Sequence, residues 1–278
     1  MNPLQSLAGV LLASLCLAAV SAQDAPGSRA APRDTPAQRS PPQDTLAQRG
    51  PPQDTLAQRG PPQDTLAQRG PPQDTLAQRV VACTTCHGKE GQATNLGYFP
   101  RIAGKPAGYL YHQLVNFRDG RRHYPLMSAL IEPLSDDYLR EIAEYFANLD
   151  LPYPPPQTRD APLAMLERGR VLVRQGDAAR KLPACVQCHG EAMLGVKPAI
   201  PGLLGLPRDY LNSQLGQWRQ GQRHAEAPDC MAEVARRLAP QDIAALSTWL
   251  SSQPVPAGAK PAATLPAKLP LTCGGVPQ

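Results

Sequence analysis

The pentapeptide Cys83-Thr84-Thr85-Cys86-His87 recurs as Cys185-Val186-Gln187-Cys188-His189, and these two stretches govern how the rest of the 278-residue chain is understood. C-x-x-C-H is the attachment signature of c-type haem. Two thiols three positions apart fall on one helical turn, where each can add to a vinyl group of the porphyrin. The adjoining imidazole then lies under the ring and ligates the iron. Zinc and dithiol chemistry are the competing uses of paired C-x-x-C. A zinc ribbon wants its pairs about 15–20 residues apart, far closer than Cys86 and Cys185. A thioredoxin-type site wants alternating strands and helices, a pattern the sequence lacks. Two covalently bound haem c groups are therefore expected, on Cys83 and Cys86 and on Cys185 and Cys188, with His87 and His189 as iron ligands.

The motifs anchor a longer internal repeat. Pro100 and Gly104 match Pro201 and Gly205. Tyr109-Leu110-x-x-Gln113-Leu114-x-x-Phe117-Arg118-x-Gly120 matches Tyr210-Leu211-x-x-Gln214-Leu215-x-x-Trp218-Arg219-x-Gly221, and Met127 and Leu134 match Met231 and Leu238. Leu139, Ile142 and Phe146 match Ile243, Leu246 and Leu250. The repeat predicts two homologous domains, 80–152 and 163–252, joined by a Pro-rich, semi-rigid linker at 153–162 and followed by a Pro/Ala-rich tail at 253–278. Both read as helical. Leu110, Leu114 and Phe117 form one apolar stripe. Ser135 is an N-cap ahead of Asp136 and Asp137, and Pro240 opens the counterpart helix. No useful stretch alternates with period two, so the fold class is all-α. Domains this small are marginal alone, and a buried porphyrin would supply the missing apolar bulk.

A histidine-bound haem needs a sixth ligand or an open face. Met127 and Met231 follow His87 and His189 at similar intervals, each between matching helices, and are the predicted sixth ligands. Met193 follows His189 too closely to reach the other face of the ring, and Met165 has no partner in the first half. His123 and His224 are rival ligands, but their polar surroundings favour the surface or a propionate contact. His112 is expected in solvent. Arg118, Arg122, Arg219 and Arg223 recur in both halves and are expected to pair with haem propionates, the alternative being an acidic partner.

Ahead of the repeat, residues 8–20 form an apolar run too short to span a bilayer, and Val20-Ser21-Ala22 resembles a signal-peptidase site. Residues 1–22 are thus a candidate signal peptide, and the periplasm is the expected location. Residues 40–79 are four near-identical decapeptides, with a degenerate fifth copy at 30–39. Paired prolines and a single Leu per unit cannot build a core, so 23–79 is expected to be a disordered stalk. The last copy differs: Leu76, Val80 and Val81 continue on a helical period towards Cys83. A formal net charge of +5 demands neither nucleic acid nor membrane. Membrane association can come through partners or an uncleaved N-terminus. Of seven cysteines, Cys16 leaves with the signal and four belong to the motifs. Cys230 and Cys273 remain, either as a disulfide or as a buried apolar residue and a loose thiol.

These motifs, methionine positions and the Tyr-Leu-x-x-Gln-Leu-x-x-(Phe/Trp)-Arg-x-Gly run resemble the dihaem cytochromes c of the cytochrome c4 type, over about 80–252. The resemblance implies two class I cytochrome c domains with His/Met haems whose propionate edges face one another. It also implies that the carbonyls of Pro100 and Pro201 accept the Nδ1–H of His87 and His189. The stalk, the tail and the Cys230/Cys273 pair depart from that pattern. The function expected is a periplasmic electron carrier of a respiratory chain, not an enzyme, with each iron cycling between ferric and ferrous. Its expected partners are redox proteins: a quinol-oxidising complex or dehydrogenase upstream and a terminal oxidase downstream. The alternatives are a dihaem subunit of a periplasmic dehydrogenase and, more remotely, a dihaem peroxidase with an open haem face.

Overall fold

The computed structural model describes residues 74–93, 97–157, 160–265 and 267–277. The apolar N-terminal run, its cleavage site and most of the decapeptide stalk lie outside the described residues. Among those described, no helix is long and apolar enough to cross a membrane.

The first described helix opens inside the last decapeptide. The Thr75 hydroxyl accepts from the Gln78 N–H at 3.4 Å, and the Gln78 side chain accepts from the Thr75 N–H at 3.0 Å. This reciprocal cap opens α1 (Leu76–Arg79). The chain turns at Val80 and resumes as α2 (Val81–His87), which carries the first motif. That turn divides the expected stripe, burying Val80 and exposing Val81. The first half continues with α3 (Ala107–Arg118), α4 (Pro125–Ile131) and α5 (Asp136–Ala147). Ser135 caps α5 as expected, accepting from the Tyr138 N–H at 3.3 Å. Leu110, Ile142, Ala143 and Phe146 form the core between α3 and α5, with Leu76 against it.

The second half adds α6 (Leu163–Arg174), a long helix whose place α1 fills only in part. Then follow α7 (Val186–His189), α8 (Arg208–Arg219), α9 (Cys230–Arg237) and α10 (Pro240–Ser252). Helix α6 crosses α10 at Gly169, where a Cβ would stand 2.4 Å from the Ala245 carbonyl oxygen. Only glycine permits that approach. The core gathers Leu172, Val173, Met193, Leu246 and Leu250. Met193 is thus core packing. One antiparallel hairpin, β1 (Gly195–Val196) with β2 (Ile200–Pro201), is the strand structure among the described residues. It is too short to give a period-two signal, yet it sets Pro201.

The linker is pinned at its start. The buried Arg101 guanidinium donates to the carbonyls of Leu151 (2.6 Å) and Pro152 (2.9 Å) and lies over the Tyr153 ring. The halves also meet directly. Arg122 and Arg223 form an antiparallel backbone bridge, and the buried Lys105 amino group donates to the Gly202 carbonyl at 2.9 Å. The tail is tied down as well, through a Cys230–Cys273 disulfide. Of the two possibilities open for that pair, the bridge is the one the structure contains.

Candidate functional site

Each C-x-x-C-H motif ends a short helix at a glycine with positive φ, Gly88 (77°) and Gly190 (82°). The positive φ turns the chain sharply out of the helix directly after the histidine. Both imidazoles are buried. His87 Nδ1 lies 2.9 Å from the Pro100 carbonyl oxygen, and His189 Nδ1 lies 2.8 Å from that of Pro201. A carbonyl only accepts, so Nδ1 carries the proton and Nε2 keeps its lone pair. Burial lowers the pKa of both rings. The Pro100 and Pro201 carbonyls push the other way, while Arg122 beside His87 and Lys105 beside His189 add to the lowering. Both are neutral imidazoles, the form that ligates a metal.

The four motif cysteines form no disulfide. Burial raises the pKa of Cys83 and Cys188 and pushes Cys185 up to about 12, with Cys188 as a lesser contributor. A redox dithiol needs the opposite shift, towards thiolate. An apolar space beside the motif thiols suits thioether formation instead.

That space is a cavity of about 740 Å³ lined from both halves. His87 and Met127 border it from the first half, and His189 and Met231 from the second. Its wall is largely aliphatic and aromatic, including Leu110, Phe117, Ile131 and Leu211. Helix α4 holds Met127 in place partly through Ser128, whose hydroxyl donates to the Phe117 carbonyl of α3 at 3.1 Å. Helix α9 holds Met231, capped by Asp229, which accepts from Ala232 N–H (3.0 Å) and Ala225 N–H (2.7 Å). The rival His123 is exposed at the cavity's edge, and the exposed His224 ring donates to the Gly221 carbonyl at 2.9 Å.

The four repeated arginines divide into two kinds. Arg118 and Arg219 do not line the cavity. Arg118 pairs with Asp136 at 2.6 Å and donates to the Leu134 carbonyl at 3.4 Å, and Arg219 donates to the matching Leu238 carbonyl at 3.1 Å. Their repetition serves the loop that enters α5 and α10. Arg122 and Arg223 are buried at 7% and 2% exposure. Arg122 donates to Gln214 (2.7 Å), Gln113 (3.1 Å) and Tyr210 (3.1 Å), and Arg223 to Gln214 (2.5 Å) and Gln113 (2.7 Å). Among the ion pairs of the described residues neither meets a carboxylate. Burial, then the neighbouring Arg122 charge, pushes Arg223 down to about 10. Two buried like charges sharing neutral partners are unfavourable unless anions join them. Haem propionates are such anions, so the residues present fit the prosthetic group that the motifs imply.

Four contributors escape the sequence argument. Gln113 and Gln214 stand in the repeat but carry no chemical signature, and their role appears once the halves are docked. Lys105 could have been noticed, because a lone charge there matches Leu206 in the other half. His112 is half-buried rather than solvated, its ring against Gly275 of the tail.

No family model matches the chain. It is 33% identical over 177 residues to the thiosulfate dehydrogenase electron acceptor of Thiomonas intermedia, covering 63% of this chain and 79% of that protein. It is 32% identical over 174 residues to cytochrome c4 of Pseudomonas aeruginosa, covering 62% of this chain and 84% of that protein. The crystal structure of reduced recombinant cytochrome c4 from Pseudomonas stutzeri superposes with a TM-score of 0.56 at 30% identity, over 63% of this chain and 95% of that one. The chain therefore belongs to the cytochrome c4 family of dihaem electron-transfer proteins, whose cofactors are two covalently bound haem c groups.

Proposed function

We propose that this protein is a periplasmic electron carrier in which Cys83 and Cys86 hold one haem and Cys185 and Cys188 the other. His87 with Met127 would ligate one iron, and His189 with Met231 the other. One observation carries the reading: each half brings one neutral, Nδ1-anchored imidazole and one methionine to the same cavity. Haem c supplies a one-electron couple when bound. The chain's own residues fix its surroundings. The Pro100 and Pro201 carbonyls orient the imidazoles and raise their basicity. Arg122 and Arg223 provide fixed positive charge between the halves, and the aliphatic wall excludes water. A ligand set that stayed the same in both oxidation states would keep the reorganisation of each transfer small.

A respiratory chain supplies the partners in this reading, with a quinol-oxidising complex or dehydrogenase upstream and a terminal oxidase downstream. The likeness to a thiosulfate dehydrogenase electron acceptor supports a second reading, in which the chain is the dihaem electron-transfer subunit of a periplasmic dehydrogenase. Co-purification with a dehydrogenase subunit would favour the second. Export follows in either case from residues 1–22 acting as a signal.

The ligand assignment has a direct test. Met127→Ala and Met231→Ala should each remove one of two methionine-to-ferric-iron absorption contributions and open one haem to carbon monoxide. A variant that keeps the full sulfur band disproves its assignment.

A further inference from the structure

The repeat aligns Tyr98, Leu126 and Leu130 of the first half with Ala199, Cys230 and Val234 of the second. In the first half these side chains are uncovered among the described residues, at 47%, 68% and 40% exposure, and all three border the cavity. Their counterparts are covered. Ala199 is buried, Val234 packs on the core, and Cys230 is bonded to Cys273 of the tail. Where the first half presents Leu126 to solvent, the second half fastens its own C-terminus.

The tail is built closely onto that site. Gly274 N–H donates to the Pro228 carbonyl at 2.9 Å. A Cβ on Gly274 would stand 2.4 Å from the Ala227 carbonyl oxygen and 2.5 Å from that of Glu226. The segment therefore lies directly on the loop that leads into Met231. Leu271, Cys273 and Val276 line the cavity. Gly275 continues to the first half, where a Cβ would come within 3.2 Å of the His112 ring on α3. Upstream, Ala262 is tied to β1 through Lys197 N–H to Ala262 O (2.8 Å) and Ala262 N–H to Gly195 O (2.9 Å).

We propose that the C-terminal segment around Leu271, Cys273 and Val276 is a strap that closes the second site, confining electron exchange with the surroundings to the open mouth at Tyr98, Leu126 and Leu130. The inference rests on the reading that each half holds one haem between its histidine and its methionine. Each exchange moves one electron. The outside partner changes by one unit and the protein by one in the opposite sense, with no bond made or broken. Sequence alignment alone would treat the two halves as equivalent ports, whereas the strap makes them unequal.

Imidazole, a small competitor for the methionine position, tests the strap on full-length ferric protein carrying both haems. Loss of the methionine–iron absorption should be biphasic with equal amplitudes. The slow phase should be at least about tenfold slower, equivalent to ~1.4 kcal/mol for lifting the strap. Cys273→Ser and Leu271→Asp should each bring the slow phase towards the fast one without altering the fast one. In the same variants hydrogen exchange at the amides of 225–231 should accelerate, a readout independent of haem ligation. A single rate in the native protein, or a slow phase and amide exchange indifferent to both substitutions, overturns the strap. Fewer than two covalent haems per chain would instead overturn the reading on which it rests.

Discussion

At the scale of single residues, the chain separates groups that hold a haem from groups that tune it. His87 and His189 are fixed by one carbonyl each, a bond the backbone supplies without any polar side chain. Arg122 and Arg223 are different, because they are charged, buried and supported by neutral oxygens alone. Arg223 stacks on Trp218 at 3.6 Å and Arg122 over Phe117 at 4.4 Å, so aromatic faces position both guanidinium planes. A buried cation favours the reduced, less positive state of a nearby iron. Arg223→Gln should therefore lower at least one reduction potential in a spectroelectrochemical titration. The expected scale is tens of millivolts, where ~59 mV corresponds to tenfold for one electron. Unchanged potentials would assign Arg223 to packing against Trp218.

At the scale of elements, the start of α10 shows how the second half holds its long helix. Asp242 accepts from the Ala239 N–H at 3.0 Å and pairs with Arg180 at 2.6 Å and Arg168 at 2.9 Å. Burial works to raise this carboxyl's pKa, but Arg180, the Ala239 N–H and Arg168 outweigh it, and the net shift is downward from 3.8. The folded state then binds the proton less readily than the unfolded chain. Its contribution is fully present above the unfolded value and is lost as pH falls through the lower folded one. Asp242→Asn should cost about 1–3 kcal/mol in urea unfolding at pH 7. The gap from the native protein should narrow as the pH drops below ~4. A gap constant with pH would mean that the carboxylate's charge contributes nothing.

At the scale of the whole molecule, the repeat is nearly symmetric in sequence but asymmetric in what surrounds it. Arg122 reaches Tyr210 and Gln214 in the other half, and Arg223 reaches Gln113 in return. Lys105 has no such mirror image, because Leu206 stands at the matching position. The ends differ as well. A long α6 supports the second half, whereas the first begins at a cap made by the final decapeptide. Deleting residues 30–69 leaves Asp74, Thr75 and Gln78 in place and should leave both haem spectra and potentials unchanged. Loss of haem or a shifted potential in that deletion would mean that earlier decapeptides pack on the first half.

The sequence by itself determined the chemistry and the helical class. Covalent attachment requires cysteines and histidine at fixed spacing, and that spacing is local. Helix starts at Ser135 and Pro240 were equally legible, since a cap is set by the few residues around it. The duplication was plain because both copies preserve the same apolar positions. What only the tertiary structure decided depends on contacts between distant segments. Arg118 and Arg122 look alike in sequence, yet one meets Asp136 at the surface while the other is buried against Gln214. The helical period placed Val80 and Val81 on one stripe, and the turn at Val80 separated them. His112 read as solvated because nothing near it in sequence covers it, and the residue that does, Gly275, lies at the far end of the chain. Cys230 adjoins Met231 in sequence, so a bridge to Cys273 already implies that the tail lies beside that methionine. A disulfide fixes only two points, however, and the tail's path past Gly195 and the His112 ring follows from packing.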